Sequence, residues 1–146
     1  MRRHWNITLP AHCAELGGMC SGHASVAFVV MGNCASLKNS RRLFRNRRTG
    51  QAQFARSKSA TTFMDAFVLQ VPLKYRNLKL GSLTAPLRLL ATVFYQSRRS
   101  DLDISAVMDG LQAAGVIAND RFIIEQHLFA EVDKDNPRVE ITIEEL

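Results

Sequence analysis

The sequence predicts a single α+β domain, a mixed β-sheet packed with two helices, in the order β, basic arm, α, β, α, β, β. Three observations carry that expectation. Leu87, Leu89, Ala91, Val93 and Tyr95 alternate along "APLRLLATVFYQ" with the two-residue period of a strand. Ile104, Val107, Met108 and Leu111 recur instead at i, i+3, i+4 and i+7, the spacing of one helical face. The 146 residues suffice for one hydrophobic core and are too few for two ordinary domains.

Residues 1–24 show no sustained period, contain Pro10, Gly17, Gly18 and Gly22, and read as a loose extension ahead of a domain over 25–146. From Val26, "VAFVVMG" is β-branched and aromatic and reads as a buried strand ended by Gly32 and Asn33. A polar, turn-rich segment follows, in which Lys38, Arg41, Arg42, Arg45, Arg47, Arg48, Arg56 and Lys58 occur without an intervening acid. Phe44 and Phe54 interrupt those charges at strand-like intervals, so the segment is expected to be a hairpin or extended arm that turns near Thr49 and Gly50.

A helix is expected from Ser59 to about Tyr75, with Phe63, Phe67 and Val71 on one face and Pro72 kinking or ending it. The strand around Leu87–Tyr95 comes next. Ser97 to Asp103 reads as a loop, and the helix that follows should stop at Gly115. "FIIEQHLFAEV" and "RVEITIEEL" are two closing strands with a turn at "DKDNP". His127, inside an apolar strand, is expected to be a packed core histidine.

Charge is divided unequally. The net charge is +6, but residues 1–100 hold sixteen Lys or Arg against two acids, whereas residues 101–146 hold three against eleven. Folded together, such a chain presents a basic surface beside a compact acidic region, which suits a protein that grips a polyanion and brings a cation to it. A basic loop that only keeps the protein soluble is the plainer reading. No apolar run reaches membrane-spanning length. The basic start is broken by Asn6, Pro10, His12 and Glu15 and makes a poor signal peptide, so a cytoplasmic protein without a membrane partner is expected. Cys13, Cys20 and Cys34 lack zinc-site spacing and read as free thiols.

The acidic residues near position 100 raise a chemical alternative. Asp101 and Asp103 lie two apart in an extended segment, so their carboxylates can face one site. Asp120 follows the helix and joins them only if the chain turns back toward the helix start. Oxygen ligands of this kind suit Mg²⁺, which then polarises water against a scissile phosphate. Arg98 and Arg99 could hold flanking phosphates through charge-assisted forks. Structural roles explain the same residues: Asp103 as a helix N-cap, Asp101 near the helix dipole, Asp120 in a turn, and Asp109 as a solvated helix residue.

At these residues the chain resembles a known family. "RRSDLD", an amphipathic helix and "GVIANDRFIIEQH" are similar to the RusA-type Holliday junction resolvases, and the likeness extends over about Val26 to Leu146. The resemblance implies a RusA-like fold and a homodimeric endonuclease that needs Mg²⁺, with Mn²⁺ as a substitute. It also implies nicking of opposing strands of four-way DNA junctions during recombination and repair, in a nucleoid or phage setting. It assigns Asp101, Asp103 and Asp120 as catalytic metal ligands. DNA contacts are expected from Lys38, Arg41, Arg42, Arg45, Arg47, Arg48, Arg56, Lys58, Arg98 and Arg99. The sequence departs from the family pattern in "DISAVMDGL", which has Ile104 after the second aspartate and lacks the helix lysine that assists catalysis. Two alternatives therefore stand beside the nuclease: a catalytically weakened junction- or RNA-binding module, and a basic structural protein of a ribonucleoprotein.

Overall fold

The computed structural model describes residues 25–36, 41–56, 58–98 and 102–146. The expected loose segment 1–24 and residues Lys38, Arg99 and Asp101 lie outside them. The architecture is the expected α+β type. Strand β1 (Ser25–Met31) leads into a separate hairpin, β2 (Arg41–Arg45) and β3 (Ala52–Arg56). Helix α1 (Lys58–Gln70), strand β4 (Leu87–Tyr95), helix α2 (Ser105–Ala113), strand β5 (Ile123–Val132) and strand β6 (Arg138–Glu145) complete it.

The main sheet has the order β1-β6-β4-β5, with β4 and β5 parallel and the other neighbours antiparallel. The last two strands are therefore not a hairpin pair. They flank β4, and the "DKDNP" connection crosses its end, where the Asp133 N–H donates to the Tyr95 carbonyl at 2.9 Å. Parallel strands need a long crossover, and α2 supplies it between β4 and β5.

One face of the sheet is packed and the other is bare of helices. Leu87, Leu89, Ala91, Val93 and Tyr95 of β4 are buried, with Val26, Phe28 and Val30 of β1 and Val139, Ile141 and Ile143 of β6 in the same layer. The expected alternation in β4 is thus met. β1 differs from the expected buried strand: it alternates, because one face of the sheet is open. Its outer edge is held at one residue by α1, since Gln70 accepts from the Met31 N–H (2.8 Å) and donates to the Met31 carbonyl (2.9 Å).

α1 ends at Gln70, ahead of Pro72, rather than reaching Tyr75. A short 3-10 turn (Leu73–Tyr75) follows. Arg76 folds back onto the freed carbonyls, donating to Val71 O at 3.0 Å and Leu69 O at 2.9 Å, which satisfies a helix C-terminus with positive charge. α2 ends as its glycine predicts. Gly115 has φ +70°, its N–H reaches Gln112 O, and the Val116 N–H reaches Leu111 O, the paired bonds of a Schellman motif.

The two helices approach through Gly110. A Cβ built there would lie 2.6 Å from the Phe67 ring. That ring is fully buried, with edge contacts to Phe63 and Phe28 at centroid distances of 6.0 and 6.3 Å, so it has little room to retreat. Gly110→Ala gains about 1 kcal/mol of helix propensity but overpacks the core at a cost of about 1–3 kcal/mol. A net loss of about 1 kcal/mol, a melting point lower by about 2–4 °C, is the expected result of thermal unfolding.

The bare face carries an ion-pair row. Arg88 meets Glu125 at 3.0 Å and Glu144 at 3.3 Å, and His127 Nε2 lies 2.6 Å from Glu125 Oε1. His127 is 48% exposed at its side chain, so the expectation of a packed core histidine is corrected: β5 is an edge strand, and His127 is on its bare side. Arg88 above all, and then His127, hold the Glu125 carboxyl below its ordinary range. A depressed carboxylate contributes stability above its unfolded pKa, about 4.3, and loses it as pH falls through the folded value. Arg88→Leu should therefore flatten the fall in melting temperature between neutral pH and pH about 3. Equal acid limbs in the two proteins would contradict that assignment.

Candidate functional site

β1 and β4 end on the same side of the sheet, and the chain segments leaving them meet there. Met31 of β1 is opposite Arg138, and Phe94 of β4 is opposite the same residue. After β1, the Gly32 N–H donates to Pro137 O at 2.9 Å, and Cys34 and Ala35 are buried, which fixes the path of the chain up to Ser36. After β4, Leu102 packs against the core and Ile104 enters it.

Between these anchors lies Asp103, 3% exposed and the one charged residue among the fully buried described residues. Its Oδ2 accepts the Ser36 hydroxyl at 2.8 Å and its Oδ1 accepts the Ser105 N–H at 3.0 Å. A buried carboxylate is tolerable because its oxygens are bonded in this way. The expected N-cap role is modified by one position. α2 begins at Ser105 with Ile104 in the cap position, and Asp103 makes an Asx turn just ahead of it. Ser36 had no distinguishing signal in the sequence, being one small polar residue within "NCASLKN"; only the fold shows that it orients Asp103.

The basic arm departs from this place, since Ser36 lies five residues before β2. β2 and β3 pair antiparallel from Arg41↔Arg56 to Arg45↔Ala52, as expected of a hairpin. The turn is closed by Asn46 N–H to Gln51 O (2.9 Å) and Gly50 N–H to Asn46 O (2.8 Å), with Gly50 at φ +69°. Asn46 Oδ1 also accepts the Arg48 N–H at 2.9 Å, and Arg45 Nε donates to Gly50 O at 3.0 Å. Arg45 thus braces the turn, while Arg47 and Arg48 are exposed at its tip. Lys58 is exposed at the start of α1, and Arg98 is exposed three residues beyond β4.

Asp120 does not join Asp103 within one chain. It begins a 3-10 turn (Asp120–Phe122) immediately before β5, and Ile123 of β5 is opposite Leu87, the first residue of β4. Asp103 lies beyond the last residue of β4. The nine-residue strand between those ends is about 27 Å long. The condition for convergence, a chain that turns back toward the start of α2, is not met. The link instead runs on past a parallel bridge between Leu80 and Ile117 into β5. Asp120 is exposed, and its turn is capped by Asn119, whose side chain accepts the Arg121 N–H at 3.1 Å. Asp109 is half-buried on α2 rather than fully solvated.

Mg²⁺, implied by the family resemblance, takes hard oxygen ligands, and Asp103 fits it in kind and in fixed orientation. Among the described residues no three His, Cys, Asp or Glu side chains converge on a metal position. Asp101 lies outside the described residues, so of the three aspartates named by the resemblance only Asp103 and Asp120 are placed, one ahead of α2 and the other ahead of β5. No helix among the described residues is long and apolar enough to cross a membrane. Compared with models of known protein families and with curated proteins, the chain matches none.

Proposed function

We propose that the chain is a metal-dependent endonuclease that acts on branched DNA, four-way junctions above all, and nicks opposing strands as a homodimer. One observation carries the reading: the bond from Ser36 to the buried Asp103 ties the only buried carboxylate of the described residues to the root of the basic arm. A polyanion gripped by that arm is led toward an oriented carboxylate, an arrangement that repels phosphate unless a cation stands between them. The resemblance of residues 97–127 to the junction resolvases points the same way.

Each part of the chain has a defined task. Arg47, Arg48 and Lys58 contact backbone phosphates and supply affinity without reading sequence, so selectivity comes from the shape of the branch. Asp101 and Asp103 hold Mg²⁺, or Mn²⁺ in its place, and Ser36 keeps Asp103 in its orientation. When bound, the ion supplies charge neutralisation at the scissile phosphate and a more acidic water. Paired nicks need two such sites, hence two copies of the chain. The setting is the cytoplasm, on nucleoid or phage DNA.

A binding-only reading has its own support: Asp120 is remote from Asp103, and α2 carries no lysine. Competition for a labelled four-way junction in the presence of EDTA separates selective from general binding. An unlabelled junction should displace the label far better than linear duplex of equal length. Equal displacement would overturn junction selectivity and leave only a general polyanion binder.

A further inference from the structure

The two edges of the main sheet are treated differently. On β1, Gln70 engages the Met31 backbone, whereas among the described residues nothing pairs with the outer edge of β5. β5 is ten residues long and contains no proline, lysine or arginine, the usual guards of an open edge. Its one irregularity is the bulge at Ile124, between the pairs Leu87↔Ile123 and Arg88↔Glu125. Beyond the bulge the strand is regular, and Phe129 and Val132 are each 57% exposed.

Charge decides what this edge can accept. The bare face of the sheet holds Glu125, Glu131, Glu140 and Glu144 against Arg88 and Arg138, and both arginines are already in ion pairs. Nucleic acid is repelled from such a face. A second copy of the chain fits one register in particular. Two β5 strands related by a two-fold axis through Phe129 set His127 of each opposite Glu131 of the other. The same register places Phe129 against Phe129, Leu128 against Ala130 and Gln126 against Val132. Moving the axis to Leu128 would instead oppose Glu125 and Glu131, a like-charge pairing that disfavours that register.

We propose that β5 is a homodimer interface, in which two copies pair antiparallel through residues 126–132 and join their sheets into one of eight strands. The interface is isologous, closes on itself and covers both open edges at once. It stands on the geometry of the edge and holds whether or not the protein cuts DNA.

Sedimentation velocity across micromolar concentrations tests it without a DNA substrate. The wild type should be a dimer. Phe129→Lys and Phe129→Glu, each at an exposed position, should be monomers with unchanged far-UV circular dichroism, because like charges meet at the axis. An equimolar mixture of the two should recover a dimer. Glu131→Lys, also exposed, provides an independent variant and should weaken association roughly tenfold. A monomeric wild type, a dimer that survives either Phe129 substitution, or failure of the mixture to associate would overturn the proposal.

Discussion

Asp103→Asn is expected to keep the fold and lose cleavage. Asparagine keeps one acceptor, its Oδ1, for the Ser105 N–H, and its Nδ2 can donate to the Ser36 hydroxyl oxygen, so both contacts that seat the side chain persist with the second one reversed. It lacks the negative charge a hard cation requires. Loss of an outer partner of a metal ligand already costs about 10–100-fold, and loss of the ligand charge itself should cost about 100-fold or more in the rate of nicking. Melting temperature and junction affinity should stay close to wild type. Asp103→Leu is the contrasting variant. It leaves the half-buried Ser36 hydroxyl and Ser105 N–H without their acceptor, at about 1 kcal/mol each, and should lose stability as well as activity. Equal cutting by Asp103→Asn and wild type would remove Asp103 from the chemistry and leave it as the structural tie between arm root and helix.

Removing the arm tip should weaken binding through salt dependence rather than through shape selectivity. Arg47 and Arg48 are exposed at the turn, and the backbone bonds that close it do not use their guanidinium groups. Arg47→Gln with Arg48→Gln should therefore leave the hairpin folded. Each phosphate contact on duplex DNA contributes about 0.9 to the slope of log affinity against log salt, so the double variant should lose about 2 from that slope. The preference for a junction over linear duplex should be largely retained, since phosphate contacts position the protein without specifying the target. Fluorescence anisotropy over a salt series measures both quantities. An unchanged slope would place the DNA path elsewhere than the arm.

Most of the local elements were legible because their signals are local. The alternation from Leu87 to Tyr95 and the stripe from Ile104 to Leu111 each need only one strand or two turns of helix to express themselves. Gly115 marked the end of α2 because a left-handed residue is needed there, and the arm was legible as a hairpin from its turn residues. What failed depended on neighbours. His127 looked like a core residue within "FIIEQHLFAEV", yet the apolar run does not reveal that β5 lies at an edge with a bare face. Spacing left the position of Asp120 open, because only the parallel pairing of β4 with β5 places it beside the start of β4 rather than the exit. Ser36 was invisible for the same reason: its importance comes from meeting a residue 67 positions later.

A four-way junction labelled in turn on each strand decides whether an anchored carboxylate beside a basic arm cuts branched DNA. The wild-type protein is incubated with it in Mg²⁺, with linear duplex and an EDTA control in parallel. Nicks are expected at symmetrical positions on two opposing strands of the junction, with little cutting of the duplex and none in EDTA. Tight junction binding with every strand left intact in Mg²⁺ and in Mn²⁺ would contradict the nuclease and leave a junction-binding protein whose buried aspartate serves only to tie the arm to the domain.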